Sequence, residues 1–117
     1  VDNCFVDFNK SIFKNNRATI YFNNALQSEI RDCDFINNGS SYSCLKIEDS
    51  NVSIYNSNFS NNYITIKIIG ENPVLSNVVI ENSSYCGIIV TDVESCPDLS
   101  GVTFNNNENK IIPTGCE

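Results

Sequence analysis

Five segments of this chain, FNKSIFKNN, IRDCDFINN, IYNSNFSNN, LSNVVIENS and LSGVTFNNN, begin at residues 8, 30, 54, 75 and 99 and are copies of one pattern. Their spacings of 22, 24, 21 and 24 residues define a repeat of near-constant length. A fixed period of this size points to a stacked array in which each unit contacts its neighbours. Read as columns, the first position is Phe8, Ile30, Ile54, Leu75 and Leu99, always large and apolar. The fourth is small (Ser11, Cys33, Ser57, Val78, Val102) and the sixth is bulky (Phe13, Phe35, Phe59, Ile80, Phe104). The eighth is always Asn (Asn15, Asn37, Asn61, Asn82, Asn106), and the ninth is Asn16, Asn38, Asn62, Ser83 and Asn107.

Positions four, six and eight share one parity, so an extended strand turns them to one side and positions five and seven to the other. The second set carries Lys14, Asp34, Asn58, Ser60 and Glu81, which makes it the solvent side. After each Asn pair a second short alternating run follows: Ala18-Ile20-Phe22, Leu45-Ile47, Ile64-Ile66-Ile68, Gly87 to Val90, and Ile111. Apolar residues at helical spacing are not sustained anywhere, so the chain reads as all-β. A sandwich gives its middle and edge strands different character, whereas a parallel β-helix stacks each column on its own copy one coil away. Identical columns therefore predict a right-handed parallel β-helix of about five coils, 21–24 residues each, in one domain over 1–117. Within it 1–7 is a partial first coil, 8–112 the repeats and 113–117 a tail or junction. The Asn columns suit corners, because Asn tolerates the left-handed backbone of a sharp turn. Column eight is expected to point inward and to be made tolerable by amide hydrogen bonds running from coil to coil at ~4.8 Å.

Phe-x-x-Asn recurs at Phe13 to Asn16, Phe35 to Asn38, Phe59 to Asn62 and Phe104 to Asn107, with Ile80 to Ser83 a degenerate copy. This resembles the repeat of the right-handed β-helix proteins of the pectin-lyase-like superfamily, and within it the polymorphic membrane protein type of adhesin. The resemblance spans about residues 8 to 112 and implies a cell-surface or extracellular β-helix.

Many proteins of that superfamily cleave acidic polysaccharides, which requires carboxylates converging on one face with a basic residue to hold the sugar acid. Asp32 and Asp34 are the nearest candidates, with Asn56 and Asn58 in the same columns of the next coil and only Arg17 and Arg31 as guanidinium groups. The acidic residues do not align in one column, so the expectation is a protein that is not an enzyme. The chain contains no His, and seven Lys and Arg stand against fourteen Asp and Glu for a net charge of −7. Lack of His excludes Ser/His/Asp and Cys/His nucleophiles and imidazole metal sites. The charge repels a phosphate backbone, so nucleic acid is not an expected partner. No run reaches the roughly 18 apolar residues of a membrane span, no Cys-x-x-Cys pair suggests zinc, and no cofactor is expected.

Six cysteines, Cys4, Cys33, Cys44, Cys86, Cys96 and Cys116, point to disulfides and an oxidising compartment. Connectivity is open among 15 pairings. Cys86 with Cys96 is the first expectation, Cys33 with Cys44 the second, and Cys4 with Cys116, one near each end, is expected to join neighbouring units. Sequons at Asn9, Asn38, Asn51, Asn58 and Asn82 add possible N-glycans. Asn9, Asn51 and Asn58 are expected on the surface, Asn38 intermediate and Asn82 inward. Exposed tyrosines, Tyr21, Tyr55, Tyr63 and Tyr85, offer a second function class, recognition of extracellular carbohydrate.

The chain starts at Val1, not Met, which reads as a processed product or a segment of something longer. Val1, Asn3 and Cys4 look like a partial copy of Ile30, Asp32 and Cys33, and neither end reads as a cap. If Glu117 were followed by a second Val1, Leu99 to that Val1 would span 19 residues and to its Phe8 26, close to one coil. The leading expectation is a self-associating, disulfide-stabilised glycoprotein stacking head to tail into a filament or long rod. The alternative is part of a cell-surface adhesin.

Overall fold

The computed structural model of the chain describes residues 1–39 and 41–116. In chain order the strands are β1 (Asp7–Asn9), β2 (Ile12–Lys14), β3 (Ile20–Asn23), β4 (Ser28–Arg31), β5 (Asp34–Ile36) and β6 (Ser43–Glu48). They continue as β7 (Val52–Ser60), β8 (Ile64–Ile69), β9 (Val74–Glu81), β10 (Cys86–Thr91), β11 (Val102–Asn105) and β12 (Ile111–Ile112), before a 3-10 turn at Thr114–Cys116. Every pairing between them is parallel and joins one coil to the next. The chain is thus a parallel β-solenoid of about five coils.

Three faces run along it. The first stacks β1, β4 and the front halves of β7 and β9; the second stacks β2, β5, their back halves and β11. The third stacks β3, β6, β8, β10 and β12. The register is that of the columns. Phe8, Ile30, Ile54 and Leu75 are direct partners, as are Phe13, Phe35, Phe59, Ile80 and Phe104. On the third face Ile20, Leu45, Ile66, Ile88 and Ile111 form the matching series. Parallel stacking superimposes like on like, so Phe13 lies on Phe35 at 4.8 Å and Phe35 on Phe59 at 4.5 Å, both nearly coplanar. Phe35, Phe59, Ile66, Ile80 and Ile88 are fully buried in the resulting apolar column.

Sharp bends between the faces come from left-handed residues. Among the described residues thirteen non-glycine residues have φ between 46° and 58°, and they fall into three corners. Corner one is Lys10, Asp32, Asn56 and Asn77; corner two is Asn15, Asn37, Asn61, Asn82 and Asn106; corner three is Asn3, Asn24, Asp49 and Asp92, with Gly70 at φ 83°. All but Lys10 are Asn or Asp, the residues whose short polar side chains accept this conformation at least cost. Gly70 suits its positive φ, and a Cβ there would require the Asp49 carboxylate to move.

The start of the chain differs from its sequence reading. Asp2 bridges Asn23, and the Asn3 N–H donates to the Asn23 carbonyl, as Asn24 does to Glu48 and Asp49 to Ile69. Val1–Asn3 therefore closes a third face and turns corner three. It does not copy Ile30, Asp32 and Cys33.

Candidate functional site

Corner two concentrates the conserved chemistry of the repeat, and it corrects the expected roles of its two Asn columns. Column eight, from Asn15 to Asn106, is exposed, whereas Asn38 is 4 % and Asn62 1 % exposed. The inward amides are those of column nine. Parity fails here because a left-handed residue interrupts the extended backbone that makes side chains alternate, so the turn at position eight swings position nine inside.

Buried in this way, each column-nine amide clamps the preceding coil. Asn38 Oδ1 accepts the Asn16 N–H at 3.1 Å while its Nδ2 donates to the Phe13 carbonyl at 2.8 Å. Asn62 repeats this on the Asn38 N–H at 2.8 Å and the Phe35 carbonyl at 3.2 Å, and Asn107 on the Ser83 N–H and the Ile80 carbonyl, both at 2.9 Å. Asn16 also gives its Nδ2 to Asn38 Oδ1 at 2.9 Å. Ser83 breaks the series; its hydroxyl bonds Thr65 Oγ1 at 2.8 Å. Serines do the same work at the other corners. Ser57 Oγ accepts from Cys33 N, Ser50 Oγ from Ala25 N and Ser28 Oγ from Val6 N, each also donating to a carbonyl two residues back. Cys33 occupies the column of Ser57 and directs its thiol to the Arg31 carbonyl in the same manner. These bonds satisfy backbone groups that burial would otherwise strand.

Outside, column eight makes a shorter ladder: Asn37 Nδ2 donates to Asn15 Oδ1 at 2.8 Å, and at corner one Asn77 donates to Asn56 Oδ1 at 2.9 Å. Beside corner two lies an open groove of about 350 Å³ lined by Asn15, Asn37, Asn61, Arg17, Tyr63 and Ser84, among others. Tyr63 leans on Tyr85 with ring centroids 5.4 Å apart.

Polar residues weighed for catalysis are dispersed and engaged elsewhere. Asp34 accepts from Asn58 Nδ2 at 3.2 Å, Arg31 pairs with Glu29 at 3.3 Å, and Asp32 is an exposed corner residue. At corner three Asp49, Glu71, Asp92 and Glu94 rim a polar hollow in which Asn72 Nδ2 bonds the Ser95 carbonyl. Among the described residues no group of three or more Cys, Asp or Glu is placed to hold a metal ion.

One disulfide is present, and it is none of the expected pairs: Cys96 joins Cys116, with Cα atoms 5.4 Å apart. Cys86 opens β10, which carries the chain roughly 17 Å away to Thr91 before Cys96 is reached, beyond the span of a disulfide, and Cys96 is already bonded to Cys116. Cys33 follows the corner-one residue Asp32 of the second coil, and Cys44 is the second residue of β6 on the third face. They are separated by β5 and corner two, and both are buried thiols. Cys116 is already bonded, so it does not join Cys4, which is an exposed thiol. Burial pushes the Cys44 thiol up to about 12, only partly opposed by its hydrogen bond with Asn38, and burial also raises the Cys86 thiol.

Sequon positions are corrected at two sites. Asn9, Asn51 and Asn58 are exposed as expected, but Asn82 is exposed too, and Asn38 is buried in the inner clamp. Ser40, the third residue of the Asn38 sequon, lies outside the described residues.

Both ends of the solenoid carry apolar surface. At the front Phe5 is 68 % exposed and Phe8 and Phe13 are half-buried, while Ile12, Leu26 and Val74 are exposed on the sides. At the other end Leu99, Val102, Phe104 and Ile111 line an apolar hollow with Lys110 at its edge. The Thr114–Cys116 turn is tied to Cys96, four residues past the Asp92 corner. No helix among the described residues is long and apolar enough to cross a membrane. Comparison with family models, with curated proteins and with solved structures finds no match for the chain.

Proposed function

We propose that the protein is a non-enzymatic, extracellular structural solenoid, N-glycosylated and stabilised by a disulfide, whose units stack end to end into a filament or long rod. The observation that carries this reading is the pair of open apolar ends, Phe5, Phe8 and Phe13 at the front and Leu99, Val102 and Phe104 at the back. Exposed apolar surface of this kind is a docking surface or a liability. The Cys96 to Cys116 bridge suits an oxidising compartment, and the exposed sequons Asn9, Asn51, Asn58 and Asn82 suit a secreted glycoprotein. Engagement of Asp34 by Asn58 and of Arg31 by Glu29 supports the non-enzymatic part of the reading. Negative-stain microscopy of protein secreted from a glycosylating host tests it: rods lengthening with concentration are expected, and particles of about one chain at every concentration defeat it.

A second reading, a carbohydrate-binding module of the adhesin type, is favoured by the corner-two groove, where a row of amides lies beside Arg17 and Tyr63. It also draws on the Phe-x-x-Asn resemblance to β-helix adhesins. Calorimetric titration with neutral and acidic oligosaccharides tests it, and heat that vanishes in Tyr63→Ala is the expected result.

A further inference from the structure

Each coil offers the next a fixed set of bonds at corner two. The column-eight N–H donates to the column-seven carbonyl of the following coil: Asn15 to Ile36, Asn37 to Ser60, Asn61 to Glu81 and Asn82 to Asn105, at 3.0 to 3.2 Å. A column-nine carbonyl accepts from the residue after the next coil's Asn column, as Asn16 does from Gly39 and Ser83 from Glu108. The column-nine N–H and column-six carbonyl receive the inner amide clamp. On the fifth coil the outward half of this set is Asn106 N–H, Asn107 N–H and the carbonyls of Phe104 and Asn107. On the first coil the complementary half is the Lys14 carbonyl, the Arg17 N–H and the Asn16 amide, whose Oδ1 and second N–H remain beside the N–H given to Asn38.

We infer that this chain binds a second copy of itself in register at corner two, the place beside corner three being taken by Val1–Asn3 on β3. The inference rests on the end-to-end reading above and adds its partner and its contacts. Asn16 of one copy clamps the Phe104 carbonyl and Asn107 N–H of the other, and Phe13 lies over Phe104 as it lies over Phe35 within the chain. Charge selects the same partner. Three of the seven Lys and Arg, namely Lys10, Lys14 and Arg17, lie on the first coil of a chain with net charge −7. In this register Arg17 lies over Glu108, its mate one place past the Asn columns on the fifth coil, and opposite charges at that separation attract. The column-nine and corner-serine clamps reach toward the preceding coil, so the contact is front to back and propagates. The disulfide holds the tail beyond corner three and leaves corner two open.

Sedimentation velocity of the 117-residue chain in a Cys4→Ser background, over a concentration series, provides the test. Wild type assembles; Asn16→Leu, Arg17→Glu and Glu108→Arg each weaken assembly roughly tenfold or more; and Arg17→Glu combined with Glu108→Arg in one chain restores it. Asn77→Gly, which keeps a left-handed corner on the fourth coil away from both end coils, leaves assembly unchanged. Thermal melts by circular dichroism confirm that each variant is folded, and the charge-swapped chain stands in if Asn16→Leu is not. Assembly of wild type that is indifferent to Asn16→Leu and is not restored by the charge swap overturns the register while end-to-end stacking stands. A monomer at every concentration overturns both.

Discussion

Asn61 and Asn62 are neighbours of identical chemistry, yet Asn61 is an exposed corner at φ 57° and Asn62 is 1 % exposed with both ends of its amide occupied. Asn62→Ala strands the Asn38 N–H and the Phe35 carbonyl in the interior, at roughly 1–3 kcal/mol for each buried group. Asn61→Gly keeps the left-handed backbone and loses only exposed contacts, so its expected cost is below about 1 kcal/mol. Urea unfolding of the two variants separates them, and similar losses would mean the inner and outer columns are wrongly distinguished. Cys44 adds a pH signature. Its thiol rises from 9.0 to about 12 on folding, so below about pH 9 both folded and unfolded chains keep the proton and stability is unaffected. Above that the unfolded chain ionises first, and stability falls by roughly 1.4 kcal/mol per pH unit. Cys44→Ala removes that portion of the alkaline loss, which pH-dependent urea midpoints read directly. The sequence already marked both Asn columns as corner residues. Which of them turns inward was not legible, since parity counting assumes an extended backbone and column eight leaves it.

Most strand positions were legible to the residue. Column one as far as Leu75 and the whole of column six appear in the structure as direct partners, while Leu99 lies ahead of β11; a one-residue slip would send a whole apolar set to solvent, which leaves a single workable register. Phe35 sits between Phe13 and Phe59 with no exposure. Phe35→Ala should therefore cost about 3–5 kcal/mol by leaving a cavity between two rings, whereas Phe104→Ala, at a half-buried end position, should cost less than half as much. Equal losses in chemical denaturation would contradict a stack closed in the middle and open at its end. Corner three was the least legible element, because its residues vary: Asn24, Asp49, Gly70 and Asp92 share a backbone conformation and no single side chain. The role of Val1–Asn3 was missed for the same reason.

Across the whole molecule the disulfide was the main misreading. A spacing argument in one dimension favoured Cys86 with Cys96, while the solenoid brings Cys116 back one coil later to the corner where Cys96 waits. Replacing Cys96 by Ser opens a loop with 20 residues of sequence separation and should cost about 3 kcal/mol, seen as a lower melting temperature that reductant no longer shifts. Thiol titration should find one reactive group in the native protein, Cys4, and four after unfolding. The column-nine and corner-serine clamps all point toward the N-terminus, so each coil is fastened by the one behind it. A zip built this way opens from the fifth coil: its release unhooks Asn107 from Ile80 and Ser83 and leaves the corner of the fourth coil held only by its backbone bonds to the third and by the Ser83 to Thr65 contact. The Cys96 to Cys116 bridge lies where such a zip needs its stop. Reduction should accordingly speed hydrogen exchange first in β11 and β12, then in β9 and β10, with the first two coils the last to respond.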